Sequence, residues 1–288
     1  MDSQPTLGII GGSGLYNISG LEDIQEHDLQ TPYGKPSAPI ITGRLKGKQV
    51  AFLARHGIGH HISPSEIPFR ANIYALKSLG VEQVVSISAS GSLREDYAPG
   101  DMVVPDQLFD FTRDRKRTYF EDGLVAHINV AQPFCIRLSQ RLYQAAKATE
   151  ARAHSGGSFI TVEGPRFSTK AESHTFRAWG MSIIGMTTAP EAFLAREAEL
   201  CYAVLAHVTD YDVWHTAEAP VTVEMVIEIL NRNQSIAQQA IYNLLVEFQE
   251  ARDCECPHAL ASAIITQRDR IPPETRNRLS LFVDEYLA

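Results

Sequence analysis

Along the chain, short runs of β-branched and other apolar residues alternate with segments whose apolar positions recur every three or four residues. The runs fall at 7–10, 39–41, 50–53, 84–87, 101–104, 158–162, 182–186 and 202–208. They are short, and most lack the polar alternation of a strand with one wet face, so they predict a sheet buried on both sides. Between them, 70–79, 136–147 and 191–200 read as helices, and Leu138, Leu142 and Ala145 keep one face of the second apolar. A longer helix is predicted from about 222 towards 250, where Val223, Val226, Ile227 and Leu230 open an apolar stripe that Ile241, Leu244, Leu245 and Phe248 continue. Pro272-Pro273 starts a last helix, in which Leu279, Phe282, Val283 and Tyr286 keep the i, i+3, i+4, i+7 spacing. No repeat, low-complexity tract or linker divides the chain, which predicts a single α/β domain over 1–288 with a helical tail from about 250.

Composition narrows the partners. With 44% hydrophobic and 21% charged residues among 288, a sizeable core is available. The net charge of −8 opposes nucleic acid or an anionic membrane as the main partner, because both favour clustered Lys and Arg. No stretch reaches the roughly 18 apolar residues of a membrane span. The opening Met-Asp-Ser-Gln-Pro-Thr lacks the basic-then-apolar order of a secretory signal, so a cytoplasmic protein is expected. Cys135 and Cys201 sit in apolar surroundings and read as core thiols, whereas Cys254 and Cys256 form a C-x-C after the long helix. Two pairs can be drawn among them, but nothing indicates a secreted disulfide scaffold.

Candidate chemistry gathers where the apolar runs end. In LGIIGGSGLY (7–16) the run breaks into Gly-Gly-Ser-Gly. A dinucleotide fingerprint would need a third glycine where Leu15, Tyr16 and Asn17 stand, and a Walker loop would need Gly-Lys-Ser/Thr. What remains is a tight structural turn or a loop offering Ser13 and backbone N–H groups to a small oxyanion. ARHGIGHH (54–61) supplies Arg55, through its fork, and His56, through one ring nitrogen, as phosphate donors; a surface ion pair with a packed histidine is the plainer reading. Metal ligation by His56 and His60 needs a helix that Gly57 and Gly59 oppose. Ser88, Ala89 and Gly91 in SISASGSL (86–93) permit close approach to the backbone, or simply tight packing.

Two further segments complete the set. TVEGPRFSTKAES (161–173) carries Glu163, Arg166, Phe167 and Ser168 in one loop, and Phe167 is either a core ring or a platform for a base. The segment 183–214 ends in Asp210-Tyr211-Asp212. If the strand runs through this tripeptide, both carboxylates share one face, where a ligand or a shared proton would relieve their repulsion. A solvated turn is the alternative; Mg²⁺ would want a third carboxylate, and none stands nearby.

Taken together and in order, GIIGGSGLY, TPYGKPSAPI, ARHGIGHHISPSEIPFRANIYALKSLGV, SASGSLREDYAPGD, EGPRFSTKAES, WG, GMTTAPEAFLAREAELCYA and TDYDVWH resemble the trimeric purine nucleoside phosphorylase family over about residues 6–250. Within it, the likeness is to the branch that acts on 5′-methylthioadenosine. The resemblance implies an α/β domain with a mixed, partly barrel-like sheet flanked by helices, assembled as a homotrimer. It implies phosphorolysis of 5′-methylthioadenosine to adenine and 5-methylthioribose 1-phosphate, with orthophosphate as co-substrate and no cofactor or metal.

Carried over residue by residue, Ser13, Arg55, His56, Ser88, Ala89 and Thr187 hold phosphate. The family often has Thr where Ser13 and Ser88 stand, and the hydroxyl survives the change. Phe167 and Ser168 face the base and ribose, Met186 the ribose, and the catalytic pair Asp210 and Asp212 the purine edge. Val223 and Val226, at the start of a lid helix, cover the methylthio group together with His127 of a neighbouring subunit. A protonated Asp210, its pKa raised by burial and by Asp212, would donate to N7 of the leaving purine. Relatives specific for 6-oxopurines carry Asn in place of Asp210, so a 6-aminopurine is favoured over the alternative, methylthioinosine or inosine. After about Glu250 the chain departs from the family pattern.

Overall fold

All eight apolar runs lie on strands in the computed structural model, which describes residues 4–12, 18–215 and 223–287. In chain order the strands are β1 (Leu7–Gly11), β2 (Glu22–His27), β3 (Ile40–Leu45), β4 (Lys48–Ala54), β5 (Gln83–Ser92), β6 (Met102–Val104), β7 (Gln107–Phe111), β8 (Ala153–Ser155), β9 (Ser158–Val162), β10 (Ile183–Gly185) and β11 (Cys201–Asp210). The helices are α1 (Phe69–Ser78), α2 (Ile136–Lys147), α3 (Lys170–Ala178), α4 (Thr188–Glu197), α5 (Val223–Val246) and α6 (Pro273–Leu287).

The sheet is mixed and forks at β5. Residues 83–86 of β5 pair parallel with β1, and β11 runs parallel along the other side from the Cys201–Gln83 pair. At Gly91 and Ser92, β5 turns to β10 as an antiparallel neighbour. One limb therefore continues through β10, β9 and β7, and the other through β11, β6 and β8, while β1 leads outward through β4 and β3 to β2. This fork gives the mixed, partly barrel-like sheet that the sequence resemblance implies.

Alternating residues of the central strands feed two apolar layers, which explains their unbroken hydrophobic runs. Ile10, Ala51, Leu53 and Val84 pack with Ile73 and Leu76 of α1, Leu194 of α4 and Leu279 and Phe282 of α6. Leu7, Ile9, Val50, Phe52, Val85 and Ile87 pack with Leu138 and Leu142 of α2 and Ile241 and Leu244 of α5. Among the described residues, no helix is long and apolar enough to cross a membrane.

Several elements differ from expectation. The edge strand β2 (EDIQEH) is exposed nearly throughout, so no apolar signal marks it. β7 is half-exposed, and β8 has three residues. α3 escaped the periodicity but has its own signal, the capping box of Thr169 and Glu172. α4 ends earlier than expected; Glu199 adopts φ 57° just before β11 begins. The tail is helical only in α6, preceded by short 3-10 turns at Cys256–His258 and Arg268–Arg270.

Candidate active site

The parallel strands β1, β4, β5 and β11 all point their carboxyl ends to one side, the position where open α/β sheets commonly bind ligands. A cavity of about 250 Å³ opens there. It brings together Arg55 and His56 from the end of β4, Ser88 and Ala89 from β5, Phe167 and Ser168 from the loop before α3, Met186 and Thr187 from the turn between β10 and α4, and Asp210 and Asp212 from the end of β11. Of the other sequence candidates, Ser13 lies outside the described residues, although Gly12 beside it lines the cavity. Val223 and Val226 begin α5 with side chains outside the description, while Gln234 and Ala237 farther along that helix reach the cavity. His127 is exposed, gives its N–H to the Ala263 carbonyl at 2.8 Å, and does not line the cavity of its own chain.

The anion-side groups are more constrained than the sequence reading assumes. Arg55 lines the cavity with most of its fork already engaged: Nε and Nη2 meet the two oxygens of Glu191 at 2.9 and 3.1 Å. Nη1 donates to the Ile87 carbonyl at 3.1 Å, and Nη2 also donates to Ser86 Oγ. His56 places Nδ1 2.9 Å from the Ile62 carbonyl. A carbonyl only accepts, so Nδ1 carries the hydrogen and Nε2 holds a lone pair when the ring is neutral. Burial above all, with the Arg55 guanidinium second, pushes the His56 pKa down to about 4, so the ring is neutral near pH 7. His56 thus presents an acceptor to a ligand, not the donor expected from the sequence. Ser88 Oγ and Thr187 Oγ1 lie 3.2 Å apart across the same corner.

At the other end, the aspartates do not share a strand face. β11 stops at Asp210, and Asp212 opens a 3-10 turn (Asp212–Trp214) at φ 51°. The turn brings the two acids together by a different route, with the Asp212 N–H donating to Asp210 Oδ1 at 2.7 Å. Thr209 Oγ1 donates to Asp210 Oδ2 at 2.6 Å. Burial raises the Asp210 pKa against these two donors, so burial supplies the shift and the Asp212 charge is not needed. Asp212 is also raised, by burial first, against the Ser173 hydroxyl beside it and with the charge of Asp210 adding to the rise. Its Oδ2 is buried without a hydrogen-bond partner among the described residues. Gly91 makes room for the pair: a Cβ there would stand 3.0 Å from Asp210 Oδ1 and 3.3 Å from Asp212 Cβ.

Comparison with known proteins agrees with this geometry. A family model described as the phosphorylase superfamily matches residues 6–246. The chain belongs to the phosphorylase superfamily. It is 47% identical over 285 residues to an S-methyl-5′-thioadenosine phosphorylase of Geobacter sulfurreducens, covering 99% of this chain and 100% of that protein. With the S-methyl-5′-thioadenosine phosphorylase of Chloroflexus aurantiacus, it shares 51% identity over 282 residues and 98% of each chain. A crystal structure of a methylthioadenosine phosphorylase from an antarctic soil metagenomic library superposes with a TM-score of 0.92 at 44% identity, over 97% of this chain and 99% of the other. The methylthioadenosine phosphorylase of Schistosoma mansoni in complex with adenine gives 0.83 at 33% identity, over 98% of each chain.

Three buried residues of this phosphorylase were not singled out from its sequence. Glu191 also accepts from Ser86 Oγ at 2.9 Å and from Tyr202 Oη at 2.7 Å. Arg115 donates to the carbonyls of Met186 at 2.8 Å and Ala189 at 2.7 Å and pairs with Glu163 at 3.1 Å, fixing the turn that carries Met186 and Thr187. His207 of β11 lines the cavity with Nδ1 buried and unpartnered among the described residues. Glu191 and Arg115 carry no sequence signal beyond their charge. His207 stands out as the one imidazole inside an apolar run.

Two outcomes follow from these buried charges. Arg55→Ala strands the Glu191 carboxylate and should cost about 3–5 kcal/mol in denaturant unfolding; a loss below about 1 kcal/mol would contradict a buried pair. His56 and His207 both sit at about 4, mainly through burial, against 6.5 in an open chain. The unfolded chain then binds protons first on acidification, so their contribution to stability is complete above about pH 6.5 and lost as pH falls towards about 4. His207→Asn should reduce the pH slope of stability in that window by up to about 1.4 kcal/mol per pH unit, and an unchanged slope would contradict a buried neutral His207.

Proposed function

We propose that this chain catalyses phosphorolysis of 5′-methylthioadenosine to adenine and 5-methylthioribose 1-phosphate. The observation that carries the reading is the buried aspartate pair: two carboxyls with raised pKa values, both residues lining a cavity whose opposite corner offers two hydroxyls. Adenine presents N7 as an acceptor and N6–H as a donor, which complements that pair, whereas a 6-oxopurine presents an acceptor at position 6. Relatives at 47% and 51% identity that are named for this substrate support the same choice.

In this reading, orthophosphate sits among Ser13, Ser88, Ala89, Thr187, Arg55 and His56, below C1′ of the ribose. Phe167 and Ser168 bound the base, and Met186 the sugar. A phosphate oxygen bonds to C1′ as the C1′–N9 bond breaks, leaving positive charge on the sugar and negative charge on the purine. Asp210 in its protonated form donates to N7 and stabilises the departing base. Phosphate enters as HPO₄²⁻ and leaves as an ester dianion, so its proton balances the one adenine gains; in this reading the His56 Nε2 lone pair accepts that P–OH. The chemistry uses no cofactor or metal.

The first turn of α5, with Val223 and Val226, covers the 5′ substituent. The chain acts as a homotrimer in the cytoplasm, in which the partner subunit's His127 completes the methylthio pocket. An exposed His127 away from its own chain's cavity supports that arrangement. An apolar pocket separates methylthio from hydroxyl by only about 10², so adenosine is a secondary substrate.

The test is Asp210→Asn, with base release measured from 5′-methylthioadenosine, 5′-methylthioinosine and inosine. Adenine release should fall by about 10²–10⁴-fold, as expected for loss of a proton donor, and 6-oxopurines should gain relative to it. An unchanged base preference would remove Asp210 from the purine edge.

A further inference from the structure

The four cysteines, which the sequence divides between two core thiols and a C-x-C, converge on one point. Their Sγ atoms all lie within 4.8 Å of one another, and those of Cys201 and Cys254 are 3.4 Å apart. We propose that Cys135, Cys201, Cys254 and Cys256 form a structural site for a single thiolate-bound metal ion, zinc by preference, that fastens the C-terminal tail to the phosphorylase core.

Geometry supports the ligand count. A tetrahedral zinc with Zn–S bonds of about 2.3 Å spaces its sulfurs about 3.8 Å apart, so closing the observed cluster onto an ion requires shifts of an ångström or less. All four are free thiols and mutual neighbours drawn from three separate stretches of chain, so one ion can engage every one of them. Their backbones are already fixed. The Cys135 N–H donates to the Tyr202 carbonyl at 2.8 Å, and the Cys201 N–H to the Glu82 carbonyl at 3.0 Å. Cys256 opens the 3-10 turn Cys256–His258, and Glu255 between the two tail cysteines points to solvent, so both thiols of the C-x-C turn inward.

Charge supplies an independent observation. Arg196 is 9% exposed and makes no ion pair with a carboxylate among the described residues. Its Nη2 donates to the Gln132 carbonyl at 2.7 Å, and its Nη1 lies 3.4 Å from Cys256 Sγ. A buried guanidinium is expensive without an anion, and four thiolates around a divalent ion leave a net charge of −2 that it would offset. Binding converts four thiols and one Zn²⁺ into a tetrathiolate complex and releases four protons. The role is structural, because Cys201 and Asp210 lie at opposite ends of β11, nine residues or roughly 30 Å apart.

The full chain, purified with a thiol reductant and stripped by a chelator, is titrated with Zn²⁺ and separately with Co²⁺ as a spectroscopic probe. The proposal expects one ion per chain, thiolate-to-cobalt charge-transfer bands with the visible spectrum of a tetrahedral site, and a raised Tm. Cys254→Ser and Cys256→Ser should each weaken binding by more than about 100-fold, since even changes around metal ligands cost 10–100-fold. Reduced wild type that binds neither metal more tightly than these variants would overturn it. So would alkylation of the denatured, unreduced protein that finds the cysteines already joined as disulfides.

Discussion

The buried pair of Arg55 and Glu191 ties together β1, β4, β5, β11 and α4, the elements that carry the anion side of the cavity. Arg55 follows β4, and its N–H extends the β1 pairing to the Gly11 carbonyl at 3.0 Å. Its guanidinium grips the β5 backbone at Ile87, while Glu191 sits on α4 and takes hydrogen bonds from Ser86 of β5 and Tyr202 of β11. Two charges this deep are tolerated only because nearly all their donor and acceptor positions are filled. Ser88 and Ala89 stand directly beyond the gripped segment, and Met186 and Thr187 immediately precede the helix that carries Glu191. The pair therefore sets the spacing of the phosphate corner, and Arg55 is as much a structural post as a ligand group.

The purine end is built on the opposite principle, leaving polar groups unsatisfied. Asp212 and His207 line the cavity, and their Oδ2 and Nδ1 atoms are buried without a hydrogen bond among the described residues. Buried polar atoms left in this state cost the protein stability. The left-handed Asp212 and the bare Gly91 belong to the same device, because together they let two carboxyls approach beside the end of β5. Burial then favours the protonated form of Asp210, the state that a departing purine needs.

Much of this was legible in the sequence, for identifiable reasons. Central strands buried on both faces write continuous apolar runs, and β9 and α2 keep the predicted bounds. The edge strand β2 writes nothing, since its residues face water. Ten of the candidate site residues share one cavity because strand ends meet at one edge of the sheet, which the succession of run-then-small-residue motifs already suggested. What the sequence could not convey was how side chains were already engaged: the Arg55 fork turned to Glu191, His56 donating to Ile62, and four cysteines meeting at one point. Those contacts join residues up to 136 positions apart, beyond the reach of any local pattern.

The account rests on orthophosphate, not water, as the nucleophile. The most direct measurement is adenine release from 5′-methylthioadenosine by the unmodified protein in phosphate-free buffer and after phosphate is added, with phosphate consumption followed in the same reaction. Adenine should appear only with phosphate and in equal amount to the phosphate consumed. Release that continues without phosphate, or none in either buffer, would contradict the account.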